Sequence, residues 1–330
     1  MTTFSALVAR ENGGEIEISA ERLEESFLPD GDVTIDVEFS SVNYKDALVS
    51  VPSGGVAKGY PLIPGIDIAG TVSESSNADF QVGNRVIAHG YEIGVSRHGG
   101  YAEKARVPAS WVVKLDELST FEAAAIGTAG YTAALSIEAV LAHGVTPSSG
   151  PILVTGATGG VGTISVDILS RLGFDVVAST GKESSRAMLK ELGASETVGR
   201  LPGEEKVRPL GKATWAAVVD CVGGPTLAYA LSTMKYGAIA AISGLAGSPA
   251  LPTTVLPFIL RNGTLAGIES GQVPIDDRRA LWAKLGREYK PTHLDAVSHQ
   301  ISTAHVHDIF ADILSGAHIG RSVVNVADGF

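Results

Sequence analysis

The segment "TGATGGVG", residues 155–162, has the residue types of a phosphate-binding turn. It follows the apolar run "ILV" and precedes apolar residues at helical spacing, so it predicts a strand–turn–helix unit. Glycines let the backbone approach a pyrophosphate, and the start of the helix offers free N–H groups. The spacing is not the standard G-x-G-x-x-G, and a turn that binds nothing is the alternative. Because a structural turn has no need of four glycines in seven residues, we predict a dinucleotide site at Thr158, Gly159, Gly160 and Val161.

The end of the following strand predicts which dinucleotide binds. NAD sites usually place Asp or Glu there to accept hydrogen bonds from the ribose hydroxyls. In this chain the strand "DVVAST" is followed by "GKESSR". Asp175 begins the strand, roughly 13 Å from Ser179 at about 3.3 Å per residue, and so belongs to the opposite edge of the sheet.

Hydroxyl groups and a cation at this strand end suit the 2′-phosphate of NADPH, which a carboxylate would repel. We therefore predict NADPH as the cofactor. Arg186 lies one turn later, and Arg200, after the third strand, adds a second cation. The alternative is that Lys182 and Arg186 belong only to a solvated helix start. The predicted contacts at this corner are Ser179, Thr180, Gly181, Lys182 and Arg200.

The composition predicts a globular, cytoplasmic protein. Hydrophobic residues make up 45% of the 330 residues and charged residues 18%. The net charge of −11 argues against a nucleic-acid or anionic-membrane partner. Cys221 is the only cysteine, which excludes an internal disulfide and a multi-thiolate zinc site and favours a structural role for its thiol. We see no signal peptide and no stretch of about twenty apolar residues that would predict a membrane span.

The order of predicted elements divides the chain into a β-rich part and an α/β part. "VTIDVEFS" alternates as a half-buried antiparallel strand does, and "IAGTVSES", "VGNRVIAH" and "YAEKARVP" add short strands. A helix capped by Ser119 or Thr120 follows. From Ile152 the pattern repeats strand, turn and helix, with apolar strands typical of a covered parallel sheet: "ILVT", "DVVAS", "ETVG", "AAVVD", "AIAAIS" and "TLAGI". Two helices then lead to "RSVVNV", a strand that we expect to return to the first domain.

Motifs along nearly the whole chain resemble one family. They include "VNYKDALV", "YPLIPGIDIAGTV", "VGNRVIAHGYEIGVSRHGGYAE", "GTAGYTAALS", "VTGATGGVG", "VVDCVGG" and "LPFILRNGTLAGIES", with "IGRSVVNV" near the end. With these motifs the chain resembles medium-chain dehydrogenase/reductases of the zinc-independent quinone oxidoreductase type. Within them it is similar to the YhdH/YhfP branch, which includes acryloyl-CoA reductases.

The resemblance implies an α/β protein with two domains. A GroES-like, β-rich catalytic domain would contain residues 1–121 and 292–330. A Rossmann domain with a doubly wound parallel sheet, residues 122–291, would be inserted between them. The resemblance also implies an active site in the cleft between the domains and a homodimer, which could form through the edge strand near "TLAGIES".

The resemblance also bears on metal binding. Zinc-dependent relatives carry Gly-His-Glu where this chain has Gly65-Ile66-Asp67, and a catalytic cysteine where it has Asn43-Tyr44. The eight histidines are scattered, and none has a ligand spacing with a second. We therefore predict no catalytic zinc, and we interpret Asp67 as a buried hydrogen-bonding residue.

The resemblance assigns further residues to the nicotinamide end of the cofactor. Tyr44 is placed beside the nicotinamide, where its phenol can bind a substrate carbonyl or relay a proton; packing between domains is the alternative. Thr128 would contact the nicotinamide ribose or amide, unless "TAGYTA" is only a close-packed helix. Arg321 would pair with a cofactor phosphate or the substrate, or make a surface ion pair. The remaining positions implied to line the pocket are Leu245, Ile259 and Ser270; the alternative for the leucine and the isoleucine is ordinary core packing.

These assignments predict NADPH-dependent reduction of an activated C=C bond, with acryloyl-CoA as substrate. A CoA substrate needs basic groups at the mouth of the cleft, for which Lys45, Lys58, Arg97 and His98 are candidates. Two alternatives remain open at this point. One is a quinone or enone reductase with the same motifs, and the other is a non-catalytic NADPH-binding protein.

Overall fold

The computed structural model describes residues 2–202 and 208–330. In those ranges the strands are β1 (Thr3–Asn12), β2 (Glu15–Glu24), β3 (Val33–Ser41), β4 (Asp67–Ser75), β5 (Arg85–His89), β6 (Lys104–Val107), β7 (Val112–Lys114), β8 (Ile152–Val154), β9 (Val176–Ser179), β10 (Glu196–Val198), β11 (Trp215–Asp220), β12 (Met234–Ile242), β13 (Thr264–Gly267), β14 (Ser298–Ser302) and β15 (Arg321–Asn325). The α-helices in the same ranges are α1 (Tyr44–Val49), α2 (Thr120–Ala142), α3 (Gly160–Arg171), α4 (Arg186–Glu191), α5 (Gly224–Ser232), α6 (Leu256–Arg261), α7 (Ile275–Leu285), α8 (Leu294–Val297) and α9 (Val306–Ser315).

The chain divides into two compact units. Unit 1 contains the chain up to Thr128 together with Ser270–Glu288 and Val297–Phe330, and unit 2 contains Ala129–Glu269 and Tyr289–Ala296. The predicted domain boundaries, at 121/122 and 291/292, differ from this division for residues 122–128, 270–288 and 292–296. Contacts of α7 explain the largest of these differences, because Arg279 donates hydrogen bonds to the carbonyls of Val112 and Ala109 in unit 1.

Unit 1 is built on a mostly antiparallel sheet with the strand order β14-β15-β3-β4-β5-β7, and β6 also pairs with β3. β3 shows the predicted alternation in part: Val33, Ile35 and Val37 are buried and Asp36 is exposed, but Thr34 is buried as well. β15 pairs antiparallel with β3, with Val323 opposite Ser41. This pairing confirms that the C-terminal strand returns to the first part of the chain.

A two-stranded antiparallel hairpin, β1–β2, was missing from the sequence predictions. Its turn contains Gly13 and Gly14, both at positive φ, which suits glycine. One face of β1 enters the core of unit 1 through Phe4, Ala6 and Val8. The partner strand β2 is largely exposed and rich in glutamate, so its apolar alternation is short, with Ile16 and Ile18 between polar residues.

Unit 2 is built on a six-stranded parallel sheet with the order β10-β9-β8-β11-β12-β13. This is the 3-2-1-4-5-6 order of the doubly wound dinucleotide-binding sheet. All six predicted strands are present, and Gly173 and Gly193 follow α3 and α4 at positive φ, as helix-ending glycines do. The predicted α/β fold is confirmed.

The long helix α2 is broken at Gly127, where φ is 49° and ψ is −158°. Ser119 caps its start, because the Ser119 hydroxyl accepts from the N–H of Glu122 while the Glu122 carboxylate accepts from the N–H of Ser119. Among the described residues, α2 is one helix that is long and apolar enough to cross a membrane, with a mean hydropathy of 1.3 over its best window. Of that window, 72% is buried inside the protein, and a buried core helix meets the same criterion.

Candidate active site

The glycine turn of unit 2 connects β8 to α3, as predicted. Gly156 has a φ of +58°, and a Cβ at Gly162 would lie 2.4 Å from the carbonyl oxygen of Gly156, so close packing of turn and helix requires glycine at both positions. Gly159 is the N-cap of α3, and Gly159, Gly160 and Val161 are partly exposed. N–H groups in the first turn of a helix have no carbonyl partner within the helix. This arrangement fits the pyrophosphate of a dinucleotide.

The end of β9 lies next to the glycine turn, because β8 and β9 are parallel neighbours. The N–H of Ala157 donates to the carbonyl of Ser179 at 3.1 Å, and the hydroxyls of Thr158 and Thr180 are 3.3 Å apart. The Ser179 hydroxyl donates to the carbonyl of Gly199. Thr180 accepts a hydrogen bond from the N–H of Lys182 at 3.0 Å. The structure therefore brings the two predicted phosphate-binding segments together at one sheet edge.

Cations surround this corner. A Cβ on Gly181 would lie 3.1 Å from Nε and Nη2 of Arg200, so the guanidinium covers the turn after β9. Arg186 lies near Gly199 and forms an ion pair with the exposed Glu183 at 3.1 Å. Because β9 and β10 are parallel neighbours, the residues that follow both strands share this edge. Lys182, Arg186 and Arg200 therefore all follow strands that end at this edge of the sheet, and their contact with a phosphate stays a prediction.

Two carboxylates near the sheet are unavailable to a ribose at this corner. Asp175 is at the opposite end of β9, where its carboxylate accepts from the Ser195 hydroxyl. Asp220, at the end of β11, is fully buried and accepts from the Thr155 hydroxyl at 2.6 Å and from the N–H of Gly223 at 2.7 Å. Burial raises the pKa of Asp220, although these hydrogen bonds oppose the shift.

Cys221, the residue after β11, has an inert thiol. Burial, followed by the charge of Asp220, raises the pKa of Cys221 to about 12. A thiol of this kind stays protonated at neutral pH. The expected structural role of the cysteine agrees with this environment.

Leu245 and Ile259 are exposed by 53% and 68%, so neither is part of the core of unit 2. Leu245 follows β12 near Gly223, and Ile259 lies in α6. Their proposed contact with nicotinamide stays a prediction, but the alternative of ordinary core packing does not apply to either residue.

In unit 1, Tyr44 is the first residue of α1 and is 40% exposed. A capping box fixes the start of this short helix. The Asn43 side chain accepts from the backbone N–H of Asp46, and the Asp46 carboxylate accepts from the backbone N–H of Asn43. The phenol of Tyr44 is thus presented from a helix whose N-terminus is held rigidly. The Asn-x-x-Asp spacing is visible in the sequence, but the sequence analysis did not use it.

Asp67 is the centre of a buried hydrogen-bond network in unit 1. Its Oδ1 accepts from the N–H of Thr128 at 2.9 Å and from the Thr128 hydroxyl at 2.6 Å. Its Oδ2 accepts from the Ser41 hydroxyl at 2.5 Å and the Asn43 amide at 2.8 Å. The interpretation of Asp67 as a buried hydrogen-bonding residue agrees with this geometry, and the network links Thr128 to the start of α1.

Arg321 is 2% exposed and its guanidinium lies within the same network. It donates to the carbonyl of Ala125 at 2.9 Å and to the Ser41 hydroxyl at 2.7 Å, and it lies 3.7 Å from Asp67. Of the alternatives considered for Arg321, the surface ion pair is wrong, because the pair with Asp67 is buried. Its contact with a cofactor phosphate stays a prediction.

The break in α2 at Gly127 lets the chain pass over this ion pair. A Cβ at Gly127 would lie 2.5 Å from Oδ2 of Asp67 and 2.8 Å from Nη2 of Arg321. Its φ of +49° also disfavours other residues. Gly127 therefore allows Thr128 to direct both its N–H and its hydroxyl to Asp67.

Sequence reasoning missed a second group of residues beside Thr128. His89 is fully buried, and its Nε2 accepts from the indole N–H of Trp282 at 2.8 Å. Its Nδ1 is 3.3 Å from the Thr128 hydroxyl, and Arg278 lies about 3 Å from the ring nitrogens. Burial and Arg278 hold the pKa of His89 well below its usual range, which favours the neutral ring, and the hydrogen bond from Trp282 makes Nε2 an acceptor. No local sequence motif predicts this group, because His89 and Arg278 are 189 residues apart.

Ser270 and the basic candidates for CoA binding are also in unit 1. The carbonyl of Ser270 accepts from Arg278 at 2.9 Å. Arg97 donates to the carbonyl of Asp30 and lies over the ring of Trp111, while His98 stacks on Phe27 at 4.6 Å. Lys45 and Lys58 are exposed. Arg97 and His98 therefore have structural contacts, which leaves the two lysines as the accessible candidates.

Two protein-family models match parts of this chain. Residues 29–117 match the family model of the alcohol dehydrogenase GroES-like domain, and residues 160–287 match that of zinc-binding dehydrogenases. The acrylyl-CoA reductase AcuI of Ruegeria pomeroyi is 44% identical over 327 residues, which cover 98% of this chain and 99% of that protein. The chain belongs to the medium-chain dehydrogenase/reductase family.

Other medium-chain dehydrogenase/reductases are similarly related. The putative quinone oxidoreductase YhfP of Bacillus subtilis is 43% identical over 328 residues, covering 98% of this chain and 99% of that protein. The solved structure of the Salmonella enterica yhdH oxidoreductase with NADP has a TM-score of 0.94 at 42% identity, covering 97% of this chain and 99% of that one. The structure of Bacillus subtilis yhfP with NAD bound has a TM-score of 0.95 at 43% identity, covering 98% and 100%. The predicted family and its GroES-like and Rossmann architecture are confirmed.

The family includes zinc-binding dehydrogenases, so we asked whether the residues of this chain fit a zinc ion. The oxygens of Asp67 already accept four hydrogen bonds from protein donors, and the cation of Arg321 lies 3.7 Å away. Zinc sites need several Cys, His or carboxylate ligands. Within residues 2–202 and 208–330 no three such side chains are grouped. These residues do not fit zinc.

One pair of histidines does converge. Nε2 of His299 and Nε2 of His318 lie 2.8 and 2.9 Å from the hydroxyl oxygen of Ser322. Because both imidazoles form hydrogen bonds with the buried Ser322, these contacts connect β14 to the turn before β15.

Proposed function

We propose that this protein uses NADPH to reduce the activated C=C bond of an enoyl thioester, and that its substrate is acryloyl-CoA, which becomes propionyl-CoA. The observation that carries the proposal is the corner after β9, where Thr180, Lys182 and Arg200 lie beside the glycine turn. The chain that contains this corner is 44% identical to a protein named acrylyl-CoA reductase. Hydroxyls and guanidinium groups match a phosphate on the adenosine ribose.

In the proposed complex, unit 2 binds the nucleotide end of NADPH. The N–H groups of Gly160 and Val161 contact the pyrophosphate, and Thr158 and Gly159 shape the turn. Lys182 and Arg200 neutralise the 2′-phosphate, to which Thr180 and the N–H of Gly181 add hydrogen bonds. Relatives are solved with NADP and with NAD, so the preference for NADPH is argued from this chain's own cations. The remaining proposed contacts are Tyr44, Thr128, Leu245, Ile259, Ser270 and Arg321.

Bound NADPH supplies a hydride for the β-carbon of the substrate. The thioester oxygen then gains negative charge, which hydrogen-bond donors must stabilise. We propose the O–H of Tyr44 as one such donor, together with backbone N–H groups or a ribose hydroxyl. Since the residues around Asp67 do not fit a metal, zinc takes no part in the proposal. A proton completes the reduction at the α-carbon, with Tyr44 as one candidate source.

An assay of substrates tests this proposal directly. NADPH oxidation is followed at 340 nm with acryloyl-CoA and with simple quinones such as 1,4-benzoquinone. We expect kcat/KM for acryloyl-CoA to exceed that for quinones by about tenfold or more, equivalent to at least ~1.4 kcal/mol of transition-state preference. Equal or faster turnover of quinones would replace this function with quinone reduction, which the name of the relative YhfP also supports. Tight NADPH binding without turnover of any conjugated carbonyl would favour a binding protein.

The proposal extends to location and assembly. We propose a cytoplasmic protein, since its single cysteine is a free thiol and its charge is −11. We also propose a homodimer formed through β13, the outermost strand on one side of the unit 2 sheet. Next to it in sequence, α6 and the residue before it expose Val255, Ile259 and Leu260 by 57% or more. An unpaired strand edge beside apolar side chains is typical of a surface that another chain covers.

A further inference from the structure

Asp46 connects the helix that carries Tyr44 to the loop before β4. It is fully buried, and its Oδ2 accepts from the backbone N–H of Asn43 at 2.9 Å and from the Asn43 amide at 3.2 Å. Its Oδ1 accepts from the N–H groups of Ile66 at 2.9 Å and Gly65 at 3.2 Å. One carboxylate therefore holds both the N-terminus of α1 and the adjacent loop.

The groups that face Asp46 are themselves charged or polar. Asp67 on β4 is a neighbouring carboxylate, Arg321 on β15 is a neighbouring cation, and the Tyr101 hydroxyl also faces the site. Burial, and then repulsion by Asp67, raise the pKa of Asp46 to about 7, against the hydrogen bonds from Asn43 and Ile66. Asp46 therefore exchanges a proton in the neutral pH range.

We propose that Asp46 is a positioning residue: its ionised carboxylate holds Tyr44 in the orientation that the reductase reaction needs, and protonation of Asp46 releases that hold. This rests on the proposed function, which assigns Tyr44 to the nicotinamide and the substrate. An ionised carboxylate can accept all four hydrogen bonds. A protonated carboxyl presents an O–H to one of its partners, and an O–H cannot accept from the N–H that faces it in the same direction.

The geometry predicts which contact is lost on protonation. A proton on Oδ2 faces the N–H of Asn43 and opens the capping box of α1. A proton on Oδ1 faces Gly65 and Ile66 and separates α1 from the loop. In either case Tyr44, as the first residue of α1, loses part of the support that fixes its backbone.

The kinetic test compares wild type with Asp46→Asn, which has the shape of the protonated acid and cannot ionise. For wild type we expect kcat/KM with acryloyl-CoA to rise about tenfold between pH 6 and pH 8, as for a single group titrating near 7. Asp46→Asn should have a lower kcat at pH 8 and a flat profile over that range. The matched control is Asp36→Asn, which alters an exposed carboxylate paired with Lys104 and should keep the wild-type profile.

Amide NMR provides a readout that does not depend on turnover. The amide proton shifts of Asn43, Gly65 and Ile66, whose N–H groups donate to Asp46, should titrate between pH 6 and pH 8 in wild type and stay constant in Asp46→Asn. If wild type fails to reduce acryloyl-CoA, the proposed function fails, but these shifts still decide whether Asp46 holds α1. The positioning role is overturned if the three shifts do not change with pH, or if Asp46→Asn keeps the wild-type pH profile.

Discussion

At the scale of single residues, we expect three cations after β9 and β10 to let the protein distinguish a phosphorylated ribose from a plain one. Lys182 and Arg200 flank the turn at Gly181, and Arg186 is partly engaged by Glu183. A charged side chain beside a phosphate strengthens its binding through short, charge-assisted hydrogen bonds. Replacing one cation should therefore affect one dinucleotide far more than the other.

Reversal of charge at Lys182 makes this prediction quantitative. Lys182→Asp should weaken NADPH binding by about 10- to 100-fold, equivalent to ~1.4–2.7 kcal/mol, and change NADH binding by less than about threefold. Titration with both dinucleotides measures the ratio. Lys190→Asp serves as control, because Lys190 bonds the carbonyl of Ser195 beyond α4 and should leave both affinities unchanged. An unaltered preference in Lys182→Asp would show that the corner was misinterpreted.

Tyr44 offers a second prediction at this scale. Tyr44→Phe keeps the aromatic ring and removes only the hydroxyl, so the contact with cofactor should survive. If the hydroxyl stabilises charge on the thioester oxygen, kcat should fall about 10- to 100-fold while the Kd of NADPH changes less than about twofold. Steady-state kinetics with acryloyl-CoA and fluorescence titration with NADPH separate the two quantities. Unchanged kcat would leave Tyr44 with a packing role alone.

At the scale of secondary-structure elements, the break in α2 depends on one glycine. Gly127→Ala would place a methyl group 2.5 Å from Oδ2 of Asp67 at a φ of +49°, so both strain and disruption of a buried ion pair follow. We expect the free energy of unfolding to fall by about 3 kcal/mol or more, measured by urea denaturation. Gly144→Ala is the matched control, because Gly144 has a φ of +90° with open space around its Cα and should lose only about 1 kcal/mol. If both variants lost the same free energy of unfolding, the contact of the added methyl group with the ion pair would have no destabilising effect.

Helix α1 links stability to pH through Asp46. Protonation removes a hydrogen bond at α1 but also removes a buried charge, and the second effect is larger. Because the pKa of Asp46 is raised to about 7 from 3.8, the folded protein binds the proton more tightly than the unfolded chain. The stabilising contribution is therefore complete below about pH 4 and is lost as pH rises to about 7. Relative to Asp46→Asn, wild type should lose on the order of 2 kcal/mol of unfolding free energy between pH 5 and pH 8. Parallel slopes for the two proteins in thermal melts across this range would contradict the assignment.

At the scale of the whole molecule, dimerisation through β13 can be tested by measuring the molar mass in solution with size-exclusion chromatography and light scattering. The chain has a mass of 34.0 kDa, so a dimer should elute with a scattering mass of about 68 kDa. Leu260→Glu places a charge on exposed α6 and should shift the protein to the monomer at micromolar concentration. Val82→Glu alters an apolar residue in unit 1 that is even more exposed, and this variant should remain dimeric. A monomeric wild type would refute the proposed interface.

The sequence predicted the parallel sheet of unit 2 well because its signals are local. Each strand is a short apolar run, and turns and helix-ending glycines such as Gly173 lie between the runs. The corner around Ser179 and Arg200 could also be predicted, since parallel strands place their carboxyl ends at one edge. The hairpin β1–β2 was missed because its second strand is mostly polar and exposed.

The buried network of unit 1 could not be predicted in the same way. Asp67 and Thr128 are 61 residues apart, and Arg321 and Ser41 are 280 apart. The hydrophobic periodicity of a sequence does not predict which hydroxyl group donates to which carboxylate in the folded protein. The interpretation of Arg321 therefore left its environment open, and His89 with Trp282 was not considered at all.

The state of Cys221 has a consequence for the chemistry proposed here. Acryloyl thioesters are electrophiles that add to thiolates, and a pKa of about 12 leaves roughly one thiolate in 10⁵ at pH 7. Cys221 is also the sole cysteine of the chain. Under the proposed function the protein therefore offers its substrate almost no nucleophilic sulfur, and we expect it to resist alkylation by acryloyl-CoA.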